Sequence, residues 1–286
     1  MVGRIRGLVE LTKPGITRLV VLTTAAGFYL GSRGGLDLVL MLQTVLATGL
    51  VAGGTNALNE YWERDIDALM RRTRGRPLPS GRLKPMEALA FATAISVTGI
   101  VWLAWAVNLP AAVVVGLSLV TYVFIYTPLK KRTPLSTLIG AVPGALPILA
   151  GWVAAGREVE PAAWALFGIL FLWQLPHFLA LAWIYRDDYR RGGLAMVSVF
   201  DPDGRRTAAR ALGYTVALLP VSVAPTFLGV TGPIYLSAAV VSGVAFVVYG
   251  SRMLSACSDR AARNLFRLSI VYLPVLLLFM ALDKAG

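Results

Sequence analysis

Asn59, Glu63 and Asp67 stand at i, i+4 and i+8 in the stretch NEYWERDIDALMRRTRGRPLPSGRLKP. On an α-helix this spacing turns each side chain by only about 40° from the one before, so all three line one face. An oxygen-only set suits Mg²⁺, a hard ion usually held by one or two carboxylates together with substrate phosphates. With no histidine or cysteine nearby, zinc is disfavoured. Arg71, Arg72, Arg74 and Arg76 follow directly, and guanidinium groups match phosphate oxygens in pairs. Pro77, Pro79 and Gly81 then end the helix and turn the chain. Spacing alone leaves two readings open. One is a diphosphate site made from metal-holding acids and arginines; the other is a solvated helix end with charge-paired acids.

A second polar stretch reads WQLPHFLALAWIYRDDYRRGGLAMVSVFDPDGRRTA, from Trp173 onward. It carries Arg186, Asp187 and Asp188, and His177, the only histidine of the chain. His177 follows Pro176, whose missing N–H frees a carbonyl one turn earlier. A polar ring in that setting needs a partner, and a hydrogen bond to a neighbouring helix would supply one.

The elements that must position these groups are apolar. The chain of 286 residues is 57% hydrophobic with a mean hydropathy of +0.68, above ordinary soluble domains. Runs near 15–32, 37–58, 86–107, 110–127, 135–155, 161–184, 211–229, 233–251 and 268–283 are each near the ~20 residues a membrane-spanning helix needs. The expected architecture is all-α: a polytopic transmembrane bundle of about nine helices forming a single domain over 1–286. Its long loops, about 59–85 and 185–210, cap a cavity between the helices. The first apolar run begins after Lys13-Pro14-Gly15 and lacks the order of a cleaved signal peptide, so the first helix is expected to be retained. The two loops sit at comparable places in the chain, but no residue-level repeat connects them.

The net charge of +12 reads as membrane topology. All basic residues except Arg33, Arg157 and Lys284 fall on one side of the expected bundle. The positive-inside rule puts that side, with the N-terminus and the long loops, in the cytoplasm or its organellar equivalent. A nucleic-acid partner is not expected. Cys257 stands alone, so no disulfide forms within the chain and no C-x-x-C-H attaches a heme.

The first stretch resembles the N-x-x-x-D-x-x-x-D motif and trailing R-T-x-x-R-P-L of the UbiA superfamily of intramembrane prenyltransferases, with Glu63 where most members carry Asp. The second resembles the heme-farnesylating branch, the protoheme farnesyltransferases or heme O synthases, in W-Q-x-P-H-F, then R-x-D-Y, then a glycine turn before M-x-x-V. LTKPGITRLVVLTT from Leu11 and YTPLKKRTPLSTLIGAVPGALPILAGW from Tyr126 resemble further segments of that branch, so the likeness covers most of the chain. A second D-x-x-x-D, present in other branches, is not completed after Asp187-Asp188, and only Asp188 and Arg186 carry over.

The resemblance implies a farnesyl group passing from farnesyl diphosphate to a vinyl group of heme B, giving heme O, with Mg²⁺ as cofactor. It implies Asn59, Glu63 and Asp67 as metal-holding and catalytic residues, with Asp188 also catalytic. Arg64, Arg72, Arg76, Lys130, Lys131 and Arg186 are implied for substrate binding, the two lysines equally readable as topogenic charge. His177 becomes a candidate heme contact. The implied setting is a bacterial or archaeal cell membrane, or the mitochondrial inner membrane. Lipid surrounds the chain there, and the enzyme that converts heme O to heme A is a conceivable partner. Competing readings are a prenyltransferase of the same superfamily acting on a quinone precursor or chlorophyllide, a transporter, and a non-catalytic heme carrier.

Overall fold

The computed structural model describes residues 2–285. Helices account for nearly all of it: α1 (Val2–Leu11), α2 (Pro14–Gly31), α3 (Leu38–Leu69), α4 (Pro85–Ala106), α5 (Leu109–Leu129), α6 (Ser136–Ala154), α7 (Pro161–Ile184), α8 (Arg186–Arg191), α9 (Arg205–Phe227), α10 (Pro233–Ala256) and α11 (Asp259–Leu282). Helices α2 to α7 and α9 to α11 occupy the nine apolar runs. Eight of them are long and apolar enough to cross a membrane. The exception, α2, is the shortest at 18 residues and carries Arg18 in its second turn. The short α1 was not anticipated from the sequence.

Local chemistry fixes the helix starts. Proline opens α2, α4, α7 and α10, where its missing N–H costs nothing. Asp37, Asn108 and Ser258 cap α3, α5 and α11 by accepting a backbone N–H three residues on. Within α5, Thr121–Tyr126 winds as a π-helix. Pro128 lies just beyond and has no N–H to continue the ordinary ladder.

The helices approach closely where side chains are small, as expected inside a bilayer. A Cβ on Gly27 of α2 would overlap the Ile148 carbonyl of α6, and one on Gly151 would overlap the Thr24 carbonyl in return. Gly54 and Gly99 allow the same intimacy between α3 and α4. Helix α6 is the most enclosed of the eight. Trp105, Phe227, Val241 and Leu282 face outward, as lipid-facing side chains should.

The feature that positions the polar groups is the length of α3. Its 32 residues extend about 48 Å at 1.5 Å each, well beyond a hydrocarbon core of about 30 Å. Its last turns therefore project past the apolar layer, and these carry Asn59, Glu63 and Asp67. A small apolar cluster of Ile66, Met70, Ala182, Tyr189, Leu194 and Met196 packs the end of α3 against the loop that follows α7. The Ala195 N–H adds a 2.7 Å hydrogen bond to the Lys130 carbonyl. Three polar connections thereby form one cap.

Candidate active site

The acidic face of α3 is not a solvated helix end. Asn59, Glu63 and Asp67 are 1%, 7% and 1% exposed, and each meets a cation. Lys13 Nζ donates to Asn59 Oδ1 at 2.9 Å, while Asn59 Nδ2 donates to Thr127 Oγ1 at 3.0 Å. Lys130 Nζ lies 2.8 Å from Glu63 Oε1 and 3.1 Å from Oε2. Arg76 donates to Asp67 Oδ2 at 2.7 Å. Glu60, 2% exposed, joins the same network, 3.8 Å from Lys13 and 3.5 Å from Arg76. Three buried carboxylates thus face three cations.

These pairings set the protonation of the cations. Burial opposes charge on Lys130, but the Glu63 carboxylate, together with Tyr126 and Tyr122 beside it, outweighs this and holds the ammonium above the usual lysine range. Burial likewise opposes charge on Arg76, and Asp67 and Glu60 overcome it. Lys13 differs. Burial, reinforced by repulsion from Arg76, pulls it down to about 8, and Glu60 offsets only part of this. Its backbone is also in the left-handed region, with φ 46°, a conformation costing a non-glycine residue roughly 1–2 kcal/mol. The surroundings hold Lys13 at this corner despite both penalties.

The donor set fits a hard divalent ion. Asp67 Oδ1 and Glu60 Oε2 are buried without a hydrogen-bond partner, and a buried carboxylate oxygen left this way is costly. No group of three or more His, Cys, Asp or Glu among the described residues is close enough to enclose a metal. An ion here would keep part of its shell for phosphate oxygens and water, as Mg²⁺ commonly does.

A cavity of about 520 Å³ adjoins this network. Asn59, Glu63 and Asp67 are not in its wall, but Asn56, one turn earlier on α3, and Tyr126 are. Tyr126 lies under the Lys130 ammonium, 4.6 Å from ring centroid to Nζ, and so connects charge to cavity. The remaining wall is largely apolar, interrupted by a few hydroxyl side chains and by Gln174, His177 and Arg72. Arg72 stacks over Tyr185 and Tyr189, at 4.7 and 5.7 Å from their centroids.

The other expected site residues are placed less centrally. Arg64 donates to the Tyr61 carbonyl, lies over that ring and approaches Asp65; it does not reach the cavity. Lys131 is exposed. Arg186 bonds Asp259 and the Trp183 carbonyl, each at 2.8 Å, tying α8 to α11. Asp188 pairs with Arg191 and accepts the Arg71 backbone N–H. His177 hydrogen-bonds Ser269 of α11 at 2.7 Å, the helix-to-helix partner expected of it, and its ring lines the cavity. Sequence reasoning missed Lys13, Glu60 and Asn56. Asn56 stands three residues before Asn59, and the i, i+3 spacing that also keeps side chains on one helix face could have found it.

Residues 20–280 match the UbiA prenyltransferase family. The chain belongs to that family. Among UbiA-family relatives, the protoheme IX farnesyltransferase of Solibacter usitatus is 44% identical, covering 98% of this chain and 99% of its own. That of Salinibacter ruber is 43% identical over 96% of each chain, and that of Myxococcus xanthus 41%, over 97% and 94%. A digeranylgeranylglyceryl phosphate synthase structure superposes with a TM-score of 0.82, at 19% identity and 98% coverage of both chains. A UbiA homologue from Archaeoglobus fulgidus, solved with GPP and Mg²⁺, gives 0.72 at 16% identity, covering 96% of this chain and 99% of the other. At these identities the solved structures establish the shared fold of the UbiA bundle.

Proposed function

We propose that this integral membrane protein transfers the farnesyl group of farnesyl diphosphate to a vinyl group of heme B, yielding heme O. The reading is carried by relatives over 40% identical along nearly the whole chain, each named for protoheme IX farnesyl transfer. The buried charge network beside an apolar cavity supplies the chemistry such a transfer needs.

Asn59, Glu63 and Asp67, with the orphaned oxygen of Glu60, would hold Mg²⁺. The ion, when bound, supplies positive charge to the departing diphosphate. Arg76, Lys13 and Lys130 surround the same spot and stabilise the negative charge that grows as the C1–O bond breaks, its electron pair leaving with the diphosphate. The allylic carbon then bonds to the terminal carbon of the vinyl group. The positive charge passes to the vinyl carbon beside the pyrrole, where the macrocycle delocalises it; water adds there and loses a proton, leaving the hydroxyl. The apolar wall keeps bulk water from capturing the farnesyl cation first. Tyr122 and Tyr126, 5.0 Å apart between ring centroids, present π-faces to a cation in that space.

The charge asymmetry supports a cytoplasmic location for the cap and the N-terminus. Adding farnesyl diphosphate, heme B and Mg²⁺ to purified protein, and measuring the mass of extracted heme, tests the assignment. Heme O is the expected product; unmodified heme B with farnesylated 4-hydroxybenzoate in a parallel incubation would overturn it.

A further inference from the structure

His177 is held by a single hydroxyl whose own proton is already committed. Ser269, fully buried, donates its Oγ–H to the Phe266 carbonyl at 2.6 Å. A serine hydroxyl has one proton to give and lone pairs to receive. At the 2.7 Å contact with His177 Nδ1, the hydroxyl must therefore accept, and Nδ1 must carry the ring proton. At neutral pH an imidazole carries one proton, so Nε2 is left with a free lone pair. Nε2 makes no hydrogen bond to any described residue, and the ring forms part of the cavity wall.

The rest of the packing fixes the ring plane. Trp173 stacks on His177 with centroids 5.5 Å apart and an interplanar angle of 30°, and Phe266 lies 4.8 Å away at 35°. Trp173 is itself anchored, its Nε1–H donating to the Ser269 carbonyl at 2.8 Å. One residue of α11 thus secures both the imidazole and the indole beside it.

We propose that Ser269 is a positioning residue that locks His177 in the Nδ1–H tautomer and aims the Nε2 lone pair into the cavity, as the nitrogen that meets the iron of the porphyrin acceptor. This rests on the heme reading above. Histidines that bind metals commonly donate the other ring N–H to a fixed acceptor, and losing that acceptor typically costs 10- to 100-fold in affinity.

The single histidine makes the test direct. Protein labelled with ¹⁵N-histidine in detergent should show one pyrrole-type nitrogen, Nδ1, and one pyridine-type nitrogen, Nε2. Ser269→Ala should convert this pair to averaged or exchanged shifts, weaken ferric heme B binding roughly 10-fold and leave farnesyl diphosphate affinity unchanged; Ser269→Thr, which keeps the hydroxyl, should restore the wild-type pair. A wild-type Nε2–H, or unaltered shifts in Ser269→Ala, would overturn the proposal without touching the assignment of function. Should the shifts behave as expected while His177→Ala leaves the heme absorption spectrum unchanged, the tautomer lock stands and the iron contact is lost.

Discussion

The Asp188 carboxylate accepts the backbone N–H of Arg71 at 3.0 Å, across 117 positions of chain. Arg191 pairs with the same carboxylate. This latch joins the loop after α3, which carries Arg72 and Arg76, to the loop after α7, which carries Tyr185 and Tyr189. Asp188→Ala strands a backbone N–H and a guanidinium, a loss of about 1–3 kcal/mol, and should lower farnesyl transfer at least tenfold. Asp188→Asn keeps an acceptor and should recover part of that activity. Equal inactivity of both variants would assign the carboxylate charge a direct part in the reaction.

The latch also has a pH signature. Burial disfavours the Asp188 charge, but Arg191 and the Arg71 N–H more than compensate and hold it below the usual aspartate range. A depressed carboxylate contributes its stability in full above the unfolded value, about pH 4, and loses it as pH falls through the folded value. Thermal unfolding in detergent should show wild type and Asp188→Asn separated at pH 6 and converging below about pH 4.

Glu63→Gln removes a negative charge opposite the buried Lys130, and Asp67→Asn one opposite the half-buried Arg76. Turnover should fall by about 10² or more, the scale of losing one preorganised electrostatic partner in a transition state. EDTA should abolish product formation and added Mg²⁺ restore it. Arg76→Ala should raise the KM for farnesyl diphosphate; an unaltered KM would remove Arg76 from the diphosphate site.

Lys13 couples the site to protons. Held at about 8, it is partly neutral at pH 8.5, and an arriving diphosphate favours its charged form. Farnesyl diphosphate binding at pH 8.5 should therefore take up protons, seen by calorimetry as a binding heat that varies with the ionisation heat of the buffer. Lys13→Arg, charged throughout, should abolish this dependence. For folding the sign is opposite to that of a stabilising pair. A lowered lysine penalises the folded state below about pH 8, and the penalty lifts as pH rises toward the unfolded value.

Gly27→Ala and Gly151→Ala should each cost of order 1–3 kcal/mol, the usual scale of overpacking, because each new methyl meets backbone of the facing helix. Gly213, where an added Cβ meets nothing within 4 Å, is the matched control and should tolerate alanine. Melting temperatures in one detergent compare the three.

The nine apolar runs were legible because each is a long departure from water-compatible composition, and α2 to α7 and α9 to α11 stand where those runs predicted. Helix α1 was not, since VGRIRGLVEL is too short and too charged to register as a span. Within the motif, spacing identified Asn59, Glu63 and Asp67 as one face, and the structure brings them together beside the cavity. Glu60 escaped because one residue along a helix turns about 100°; it reaches the network through Lys13 and Arg76, from a loop partner that periodicity cannot see. Arg64 shows the converse. It sits among the right residues in sequence, yet its place on the helix sends it to Tyr61 and away from the site.

The π-helical stretch in α5 has a consequence for chain length. A wider coil accommodates one residue more than ordinary winding would, and everything C-terminal to Tyr126 inherits that offset. Excising a single residue there would swing the Lys130 ammonium about 100° around the axis and off the Glu63 carboxylate. Apart from Tyr122 and Tyr126, which face the cavity, its side chains can change one at a time, whereas its residue count is fixed by the charge it delivers.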